Sequence, residues 1–521
     1  MDRRSFRAAW PALVLAAAVL LPFLGKAYTI DDPLFLYQAR HVLEDPLHPT
    51  AFDVVWSLEP HRMSALMASG PGMAYLLVPT LLAGGAEWVA HLTQLLLLAL
   101  AIVATASLAL TLDGDETQAR RASLLLAATP AVLGMAATAM PDVAAMALGV
   151  LGLERTAAFG RDARRGQAVV AALYLGAATL CRSHLAALAV VAWLLGPNDR
   201  RRWIVPVAAL LAAAAAFTIT RDPQSHAGAG AVAGAAATFV FAPAVLRNVV
   251  SFPVHLALAF PFAIAWLLLC PIAIVRSPVL YVAGAGAWAY IRLHPEVGPQ
   301  VAAIAAGLGA AALFDLAWQA FKRRDRIDGM LATWCLTPIA VVPYLHLPSK
   351  YLLAAAPAMA IAVARQKGRL PKLSLAVPVV CGTLLGVLIL RADARFAGTG
   401  RRAAETLVAP AVTSGKTVWF NGHWGFQWYA ERAGARPLTQ TPPHPHWGDL
   451  VIASGHAEGE LMGAMPNKRL VSSLDDTRPG GRIMSRACDA GFFSNGWGYL
   501  PWAWGSDSVD RYEVWSIEPG Q

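Results

Sequence analysis

The sequence predicts an all-α polytopic membrane bundle of about 13 transmembrane helices, followed by a small soluble α/β domain. Three observations support this fold class. First, 57% of the 521 residues are hydrophobic and 14% are charged, whereas a soluble protein carries about 25% charged residues. Second, apolar stretches close to the length of a membrane span recur between residues 8 and 391. Third, the composition turns polar and rich in turn residues after Arg391.

The basic residues between the apolar stretches predict how the chain is oriented. They form short clusters at 161–165, 200–202, 322–326 and 365–372. Under the positive-inside rule these clusters mark the cytoplasmic side of a bacterial-type inner membrane. The net charge of +9 therefore reflects topology, and we expect no nucleic-acid partner. The N-terminus is predicted to be cytoplasmic.

The helices follow in order from this orientation. The first span, 8–25, leads into an outer loop, 28–85, with two short interfacial helices, PLFLYQARHVL and PGMAYLLVPTLLA. A second outer loop is predicted at 220–248, and its GAGAVAG run at 228–234 is interpreted as loop because it follows no strand. The other spans are predicted at 86–112, 122–139, 143–159, 167–181, 185–197, 203–219 and 249–275, in two hairpins that turn near 294–296 and 346–350, and at 373–391.

The chain divides into a membrane module, 1–391, and a tail, 392–521, which the number of spans places outside the cytoplasm. In the tail, KTVWF, DLVIA, RLVSS and RYEVWSI predict short strands. WGFQWYAERAG predicts a helix that stops at Gly434. Tryptophan is frequent here, as in the stretch 497–504, and such rings either pack in a core or bind sugars. His444 and His446 are expected in an exposed loop rather than at a metal.

An acidic pair, Asp31 and Asp32, lies just outside the first helix in the segment YTIDDPLFLYQARHVLED. Desolvating unpaired carboxylates costs several kcal/mol, so this pair must be solvated, paired or catalytic. An N-cap before Pro33 is the structural alternative, since aspartate caps well and proline suits the first turn. Capping explains one of the two aspartates, but hardly both.

Other polar residues are predicted to share the outer level with this pair. A carboxylate beside cations at a membrane surface suits a lipid-phosphate substrate, because the carboxylate takes a proton while the cations hold the phosphate. Helix capping for Asp142, snorkelling for Arg182 and interfacial anchoring for Lys350 are the alternatives. The residues at this level are Asp142, Arg62, Arg182, Arg221, Arg247, Lys350, Tyr37, Tyr75 and Tyr351.

Four segments resemble the GT-C class of polytopic glycosyltransferases, in particular glycosyltransferase family 39 and the bacterial aminoarabinose transferases. They are the acidic pair with its amphipathic YQAR helix, GPGMAYLL, LLLAATPAVLGMAATAMPDVAAMALGVL and PSKYLLAAAPAMAIAVA, within residues 8–365. The resemblance implies that Asp31, with Asp32 beside it, is the catalytic carboxylate, and that Asp142 is a second acidic residue near the site. It places Lys350 and Tyr351 near the lipid phosphate.

One departure from the family concerns the cation that often precedes the proline of its second interfacial helix. Here Ser69 and Gly70 precede Pro71, so that cation is missing, and Arg62 or Arg182 is expected to substitute. The predicted residues that bind the donor phosphate are Arg62, Tyr75, Arg182, Arg247, Lys350 and Tyr351.

The predicted function is an inverting glycosyltransferase that moves a sugar from a polyprenyl-phosphate donor to an acceptor hydroxyl at the outer face of the membrane. The acceptor is a glycan, a lipid or a protein, and membrane lipids surround the bundle. The sequence identifies no cofactor and leaves open a divalent cation near Asp31 and Asp142. The alternatives are a transporter or flippase for a lipid-linked glycan and a non-catalytic lipid-binding protein. A transporter would show paired broken helices in two related halves, and the sequence contains no such repeat.

Overall fold

The structure of the protein, a computed structural model, describes residues 2–67, 69–225, 244–294, 300–366, 372–456 and 467–519. It is mainly helical. The α-helices up to residue 219 are Arg3–Leu20, Asp32–Val42, Met63–Leu66, Gly72–Leu82, Glu87–Asp113, Glu116–Ala127, Pro130–Met135, Asp142–Asp162, Arg165–Cys181, Leu188–Leu195 and Ile204–Ile219. Those that follow are Ala244–Leu258, Phe262–Leu269, Pro271–Val275, Pro278–Leu293, Val301–Arg323, Arg326–Leu336, Ala356–Ala364, Lys372–Ala403, Ala409–Thr413 and Trp424–Arg432.

Within the described ranges, six helices are long and apolar enough to cross a membrane, or up to seven if one bent pair is a single span. The predicted spans all fall on helical segments, but several are short, such as Arg165–Cys181 and Ser183–Leu195. The chain is therefore a helical multi-pass membrane protein, and the count of thirteen spans stays a prediction.

The spans predicted at 122–139 and 249–275 are interrupted at prolines, and the second is interrupted again at Cys270, just before Pro271. The span predicted at 122–139 divides after Ala127, and a new helix starts at Pro130. The span predicted at 249–275 bends by 66° between Leu258 and Phe262, and Pro261 lies at this bend. Proline lacks the backbone N–H that a continuous helix needs and disfavours helical geometry in the residue before it.

The outer loop 28–85 contains more structure than predicted. Its two predicted helices are confirmed as Asp32–Val42 and Gly72–Leu82. Between them, Asp53–Trp56 and Glu59–Arg62 pair as an antiparallel hairpin. Most of the second predicted loop, 220–248, with its GAGAVAG run, lies outside the described residues, as does part of the turn predicted near 294–296.

The last membrane helix runs past its predicted end at Arg391. It continues to Ala403, then through a π-helical turn and a short helix to Thr413. Alanine recurs through this stretch and favours helix, and Arg395 is anchored to Asp476 of the tail with its Nε 3.0 Å from Oδ2. The domain boundary predicted at 391 therefore falls inside a helix, and the strands of the tail begin at Val418.

The tail folds around a five-stranded mixed sheet, and the four predicted strands and the predicted helix are all confirmed. The helix Trp424–Arg432 is followed by Gly434 with a φ of +94°, a conformation that glycine adopts readily at a helix end. The sheet order is Arg436–Pro437, Val418–Asn421, Leu450–Ser454, Arg511–Ile517 and Lys468–Asp475, parallel across the first three strands and antiparallel across the rest. Four further short strands are Gly480–Arg482, Met484–Ser485, Ala490–Gly491 and Ala503–Gly505.

The tail packs on the outer loop through its helix Trp424–Arg432. Glu431 accepts a 2.8 Å hydrogen bond from the Tyr37 hydroxyl. The guanidinium of Arg40 lies 5.3 Å from the centre of the Trp428 ring, which is a cation–π distance. These contacts place the tail on the same end of the bundle as Asp31.

Candidate active site

Asp31 faces a cation rather than the helix that follows it. Its side chain makes no capping hydrogen bond to the helix Asp32–Val42, so the N-cap alternative is wrong for this residue. Instead, Lys350 Nζ lies 3.1 Å from Asp31 Oδ2. The Lys350 side chain is 3% exposed, while that of Asp31 is 34% exposed. The carboxylate is therefore paired and still open to a reactant.

A second ion pair lies in the same region. Arg182 holds Asp142 with two hydrogen bonds, of 3.0 Å from Nε and 2.7 Å from the terminal nitrogen Nη2. This is the bidentate geometry that favours arginine over lysine. Asp142 begins a helix, Asp142–Asp162, but Arg182 occupies both of its carboxylate oxygens. Neither capping of Asp142 nor snorkelling of Arg182 explains this pairing.

The ring of Tyr351 joins the two ion pairs. The Arg182 guanidinium carbon lies 5.2 Å from the ring centre and Lys350 Nζ lies 5.8 Å from it. Residues 142, 182 and 350 come from three distant parts of the chain, as the predicted topology requires. Asp31, Asp142, Arg182, Lys350 and Tyr351 are referred to below as the outer cluster.

Three aromatic side chains that sequence reasoning left out also surround Tyr351. The ring centres of His184, His346 and Tyr344 lie 5.6, 5.9 and 6.0 Å from that of Tyr351. His184 and His346 belong to the two predicted outer turns, at 181–184 and 346–350, so their position next to Arg182 and Lys350 was the available signal.

Charge and burial set the protonation states in this cluster. Burial raises the pKa of Asp31, but the charge and hydrogen bond of Lys350 outweigh it and bring the pKa below its ordinary value. Burial, aided by the nearby Lys350 charge, lowers the pKa of His346 to about 3. At neutral pH Asp31 is therefore a carboxylate, and His346 is a neutral ring.

Asp32 points away from the outer cluster into a closed network. Its carboxylate is fully buried and accepts hydrogen bonds from the backbone N–H groups of Thr29, at 2.9 Å, and Ala139, at 2.7 Å. Close by, Lys26 pairs with Asp393 at 2.7 Å, and Asp393 accepts a 2.8 Å hydrogen bond from the Thr29 hydroxyl. Burial raises the pKa of Asp32 to about 7, although Lys26 acts in the opposite direction. The structure gives Asp32 the geometry of a structural residue.

Three residues predicted to bind the donor phosphate have other partners. Arg62 makes two hydrogen bonds to Asp222, of 2.7 and 3.1 Å. The Tyr75 hydroxyl donates to the Pro46 carbonyl at 2.8 Å. Arg247 donates to the carbonyl of Leu345 at 3.2 Å, which leaves it at the edge of the outer cluster.

The missing cation before Pro71 has a steric explanation. A Cβ atom at Gly70 would lie 2.3 Å from the Leu180 carbonyl oxygen, and one at Gly72 would lie 2.9 Å from the backbone nitrogen of Cys181. The chain at 70–72 thus packs directly against the helix end that precedes Arg182. Of the two expected substitutes, Arg182 lies in the outer cluster, and Arg62 is held by Asp222.

The carboxylates of the outer cluster already have cationic partners. Asp31 is paired with Lys350 and Asp142 with Arg182. Within the described ranges, no group of three histidine, cysteine or acidic side chains is placed to hold a metal ion. A divalent cation here would have to compete with these partners and complete its shell with water or donor phosphate oxygens.

The tryptophans of the tail differ in their surroundings. Trp428 is buried and packs on Tyr37, with ring centres 5.7 Å apart. Trp497 stacks on His456 at 5.2 Å. Trp504 is 67% exposed. Packing against aromatic rings accounts for Trp428 and Trp497, and sugar binding by the others stays a prediction.

Comparison with known proteins gives a match in structure alone. No family model and no curated protein matches the sequence. The crystal structure of ArnT from Cupriavidus metallidurans bound to undecaprenyl phosphate matches with a TM-score of 0.55 and 14% identity, over 99% of this chain and 100% of that chain. The resemblance to the GT-C class, and to ArnT within it, is thereby confirmed at the level of the fold.

Two other GT-C glycosyltransferases match below a TM-score of 0.5. The oligosaccharyltransferase AglB from Archaeoglobus fulgidus, in complex with an inhibitory peptide and a dolichol-phosphate, matches at 12% identity and a TM-score of 0.46, over 84% of this chain and 64% of that one. The arabinofuranosyltransferase AftD from Mycobacteria matches at 15% identity and a TM-score of 0.45, over 100% of this chain and 40% of that one.

Proposed function

We propose that the protein is an inverting glycosyltransferase that uses a polyprenyl-phosphate-linked sugar at the outer face of the inner membrane. One observation carries the proposal. Asp31, an accessible carboxylate, lies 3.1 Å from Lys350, and Tyr351 connects this pair to Arg182. A base and two cations at one site are what transfer from a phosphate-linked donor requires. ArnT, which shares the fold, is described as bound to undecaprenyl phosphate, and this supports the same donor class here.

In the proposed reaction an acceptor hydroxyl attacks the anomeric carbon of the donor sugar. The new carbon–oxygen bond forms as the bond between the anomeric carbon and the phosphate oxygen breaks. The hydroxyl proton passes to Asp31, and the lipid phosphate leaves with the bonding electron pair. Lys350 and Arg182 stabilise its negative charge. Because a single displacement takes place, the anomeric configuration inverts and no covalent enzyme intermediate forms.

The pairing of Asp31 with Lys350 controls the strength of the base. In the free protein Lys350 keeps the pKa of Asp31 low, so the carboxylate is ionised but weakly basic. A donor phosphate competes for the same ammonium group. When Lys350 turns toward the phosphate, Asp31 loses its main counter-charge and accepts a proton more readily. Donor binding and activation of the base are thus coupled through one lysine.

Orientation and partners follow from the same proposal. The N-terminus is cytoplasmic, and the tail from residue 392 lies outside, on the side of Asp31. Reagent labelling of a cysteine variant that retains only Cys488, which is partly exposed, tests this in intact cells. Labelling that requires permeabilised membranes would contradict the orientation. The acceptor is a glycan, lipid or protein hydroxyl that reaches the outer cluster from the outer side.

The function is tested with the full-length protein in detergent, given a polyprenyl-phosphate sugar and extracted envelope glycans, with products identified by mass spectrometry. Asp31→Asn is expected to reduce transfer about 100-fold, the scale of losing a general base, while binding of polyprenyl phosphate is retained. Glu44→Gln is the matched control, because Glu44 is 69% exposed on the same outer loop. Transfer by Asp31→Asn at the control rate would refute the assignment.

The rival functions have their own signatures in the same experiment. Movement of a lipid-linked glycan across vesicles, with no transfer by the wild-type protein, would indicate a transporter. Binding of the lipid phosphate with neither transfer nor movement would indicate a non-catalytic binding protein.

A further inference from the structure

The loop that carries Lys350 has little regular structure of its own. Residues 342–348 join two helical segments, Thr337–Val341 and Ser349–Ala355, and prolines occupy positions 343 and 348. His346, whose ring stacks on Tyr351, lies in this loop, and Lys350, the ion-pair partner of Asp31, lies just after it. Backbone polar groups in such a segment must find partners elsewhere. Those partners fix where Lys350 lies.

Two buried asparagines supply many of these partners. Asn248, in the helix Ala244–Leu258, donates from its amide to the carbonyls of Val342, at 2.9 Å, and Tyr344, at 2.5 Å. Asn495, in the tail, accepts from the backbone N–H of Leu347 at 3.2 Å. Asn495 also donates to the side-chain oxygen of Asn248 at 2.8 Å. Both asparagines are fully buried.

Other contacts hold the same loop from the membrane side. Ser251 donates its hydroxyl to the carbonyl of Leu347 at 3.0 Å. The Ser349 hydroxyl lies 2.7 Å from His255 Nδ1. From the tail, the Ser494 hydroxyl lies 3.4 Å from His346 Nδ1. The loop is therefore held between the bent membrane helix and residues 494–495 of the tail.

We propose that Asn495 is a positioning residue that holds Lys350 against Asp31, so that the tail takes part in building the active site. This proposal rests on the proposed function. Removing the Asn495 amide leaves the Leu347 N–H and the Asn248 oxygen without these partners in a buried place, and such groups move to regain hydrogen bonds. The movement shifts the loop, and with it the distance between Lys350 and Asp31.

The activity test compares Asn495→Ala with Gln427→Ala. Gln427 is the control, because it is also a buried amide side chain of the tail that bonds a backbone group of the membrane module. It donates to the Val55 carbonyl at 2.9 Å. None of its described hydrogen bonds goes to residues 342–350. Asn495→Ala is expected to lower kcat/KM for the donor about tenfold, with kcat reduced and KM raised, because Lys350 acts on both Asp31 and the donor phosphate. Gln427→Ala is expected to stay close to wild type. Equal losses in both variants would overturn the proposal.

A double-mutant cycle separates positioning from general destabilisation. If Asn495 acts through Lys350, Asn495→Ala should cost less than about twofold in a Lys350→Met protein, because the group it positions is already gone. An undiminished loss in that background would show a purely structural role and overturn the proposal.

A third measurement does not depend on transfer at all. Lys350 is 3% exposed, so acetic anhydride should modify it slowly, as followed by peptide mass spectrometry. Asn495→Ala should speed its modification about tenfold through local opening, and Gln427→Ala should not. Unchanged modification would overturn the positioning role. Faster modification in a protein that shows no transfer would support the positioning of the loop and refute the proposed function alone.

Discussion

Asp31 and Asp32 are neighbours of the same chemical type, yet the structure gives them opposite surroundings. Asp31 is 34% exposed and paired with Lys350 in the outer cluster. Asp32 is fully buried and bound by two backbone N–H groups. The pKa of Asp31 lies below its ordinary value, whereas burial raises that of Asp32 to about 7. Asp31 is therefore available for chemistry, whereas Asp32 fixes the conformation of the loop.

The two networks also differ in what they connect. The network around Asp32 ties the loop before it to the last membrane helix through Lys26 and Asp393, and to the turn at Ala139. The outer cluster leaves one face of its carboxylate accessible. We infer that the buried network around Asp32 holds Asp31 in place, and that the outer cluster carries the chemistry.

The largest expected effect is on stability, from Lys26→Met. Lys26 and Asp393 are 0% and 1% exposed, and removing one partner of a buried pair costs about 3–5 kcal/mol. The free energy of unfolding in mixed detergent micelles should fall by that amount. Lys416→Met, at an exposed position, is the control, and Lys26→Met with Asp393→Leu should recover most of the loss. An unchanged free energy of unfolding in Lys26→Met would contradict a structural role for the network around Asp32.

Next in size is the contrast between Asp31→Asn and Asp32→Asn. The first should lower transfer about 100-fold, or about 2.7 kcal/mol. The second should lower transfer less than about tenfold, because an amide resembles the protonated form that Asp32 adopts below its raised pKa. A larger loss from Asp32→Asn would reverse the assignment of the two roles.

Asp32→Asn should also change how stability depends on pH. A folded-state pKa of about 7, above the ordinary value, means that Asp32 favours the folded state fully at low pH. This contribution is lost as pH rises toward 7. Melting temperatures measured between pH 5 and pH 8 should therefore fall less steeply in Asp32→Asn than in the wild type. Parallel curves would contradict the raised pKa.

A smaller effect is expected on the pH profile of Lys350→Met. The carboxylate form of Asp31 is the active one, so activity is lost as pH falls through its pKa. Without Lys350, burial raises that pKa unopposed by its main counter-charge, and the acid limb of kcat/KM should move to higher pH. The profile is normalised to its own maximum, since phosphate binding also weakens. An acid limb at the wild-type pH would show that Lys350 does not lower the pKa of Asp31.

The smallest expected change is that of Arg182→Lys. Lysine keeps the charge but loses one of the two hydrogen bonds to Asp142, and we expect transfer to fall about threefold to tenfold. Arg201→Lys is the matched control, because Arg201 also donates two side-chain hydrogen bonds to one aspartate, both to Oδ2 of Asp199, at a site where both side chains are at least half exposed. Equal transfer rates in the two variants would show that the two hydrogen bonds from Arg182 to Asp142 do not contribute to transfer.

The sequence by itself determined the elements of this protein. Apolar runs and basic clusters predicted the helices and the end of the bundle at which Asp31, Arg182 and Lys350 meet, because span length and charge placement are fixed by the membrane. Alternating patterns predicted the strands of the tail, and Gly434 its helix end. Pro130 and Pro261 lie inside two predicted spans and break them, because proline interrupts a continuous helix.

Only the tertiary structure decided which polar groups became partners. Nothing in the order of residues assigns Lys350 to Asp31, Asp222 to Arg62 or Asn495 to Leu347, which are separated by 319, 160 and 148 positions. Adjacent aspartates differ because one side chain points to a half-open cluster and the next to a sealed network, and burial together with the nearest charge then sets each pKa. Such pairings depend on distances across the folded chain, which local sequence patterns do not encode.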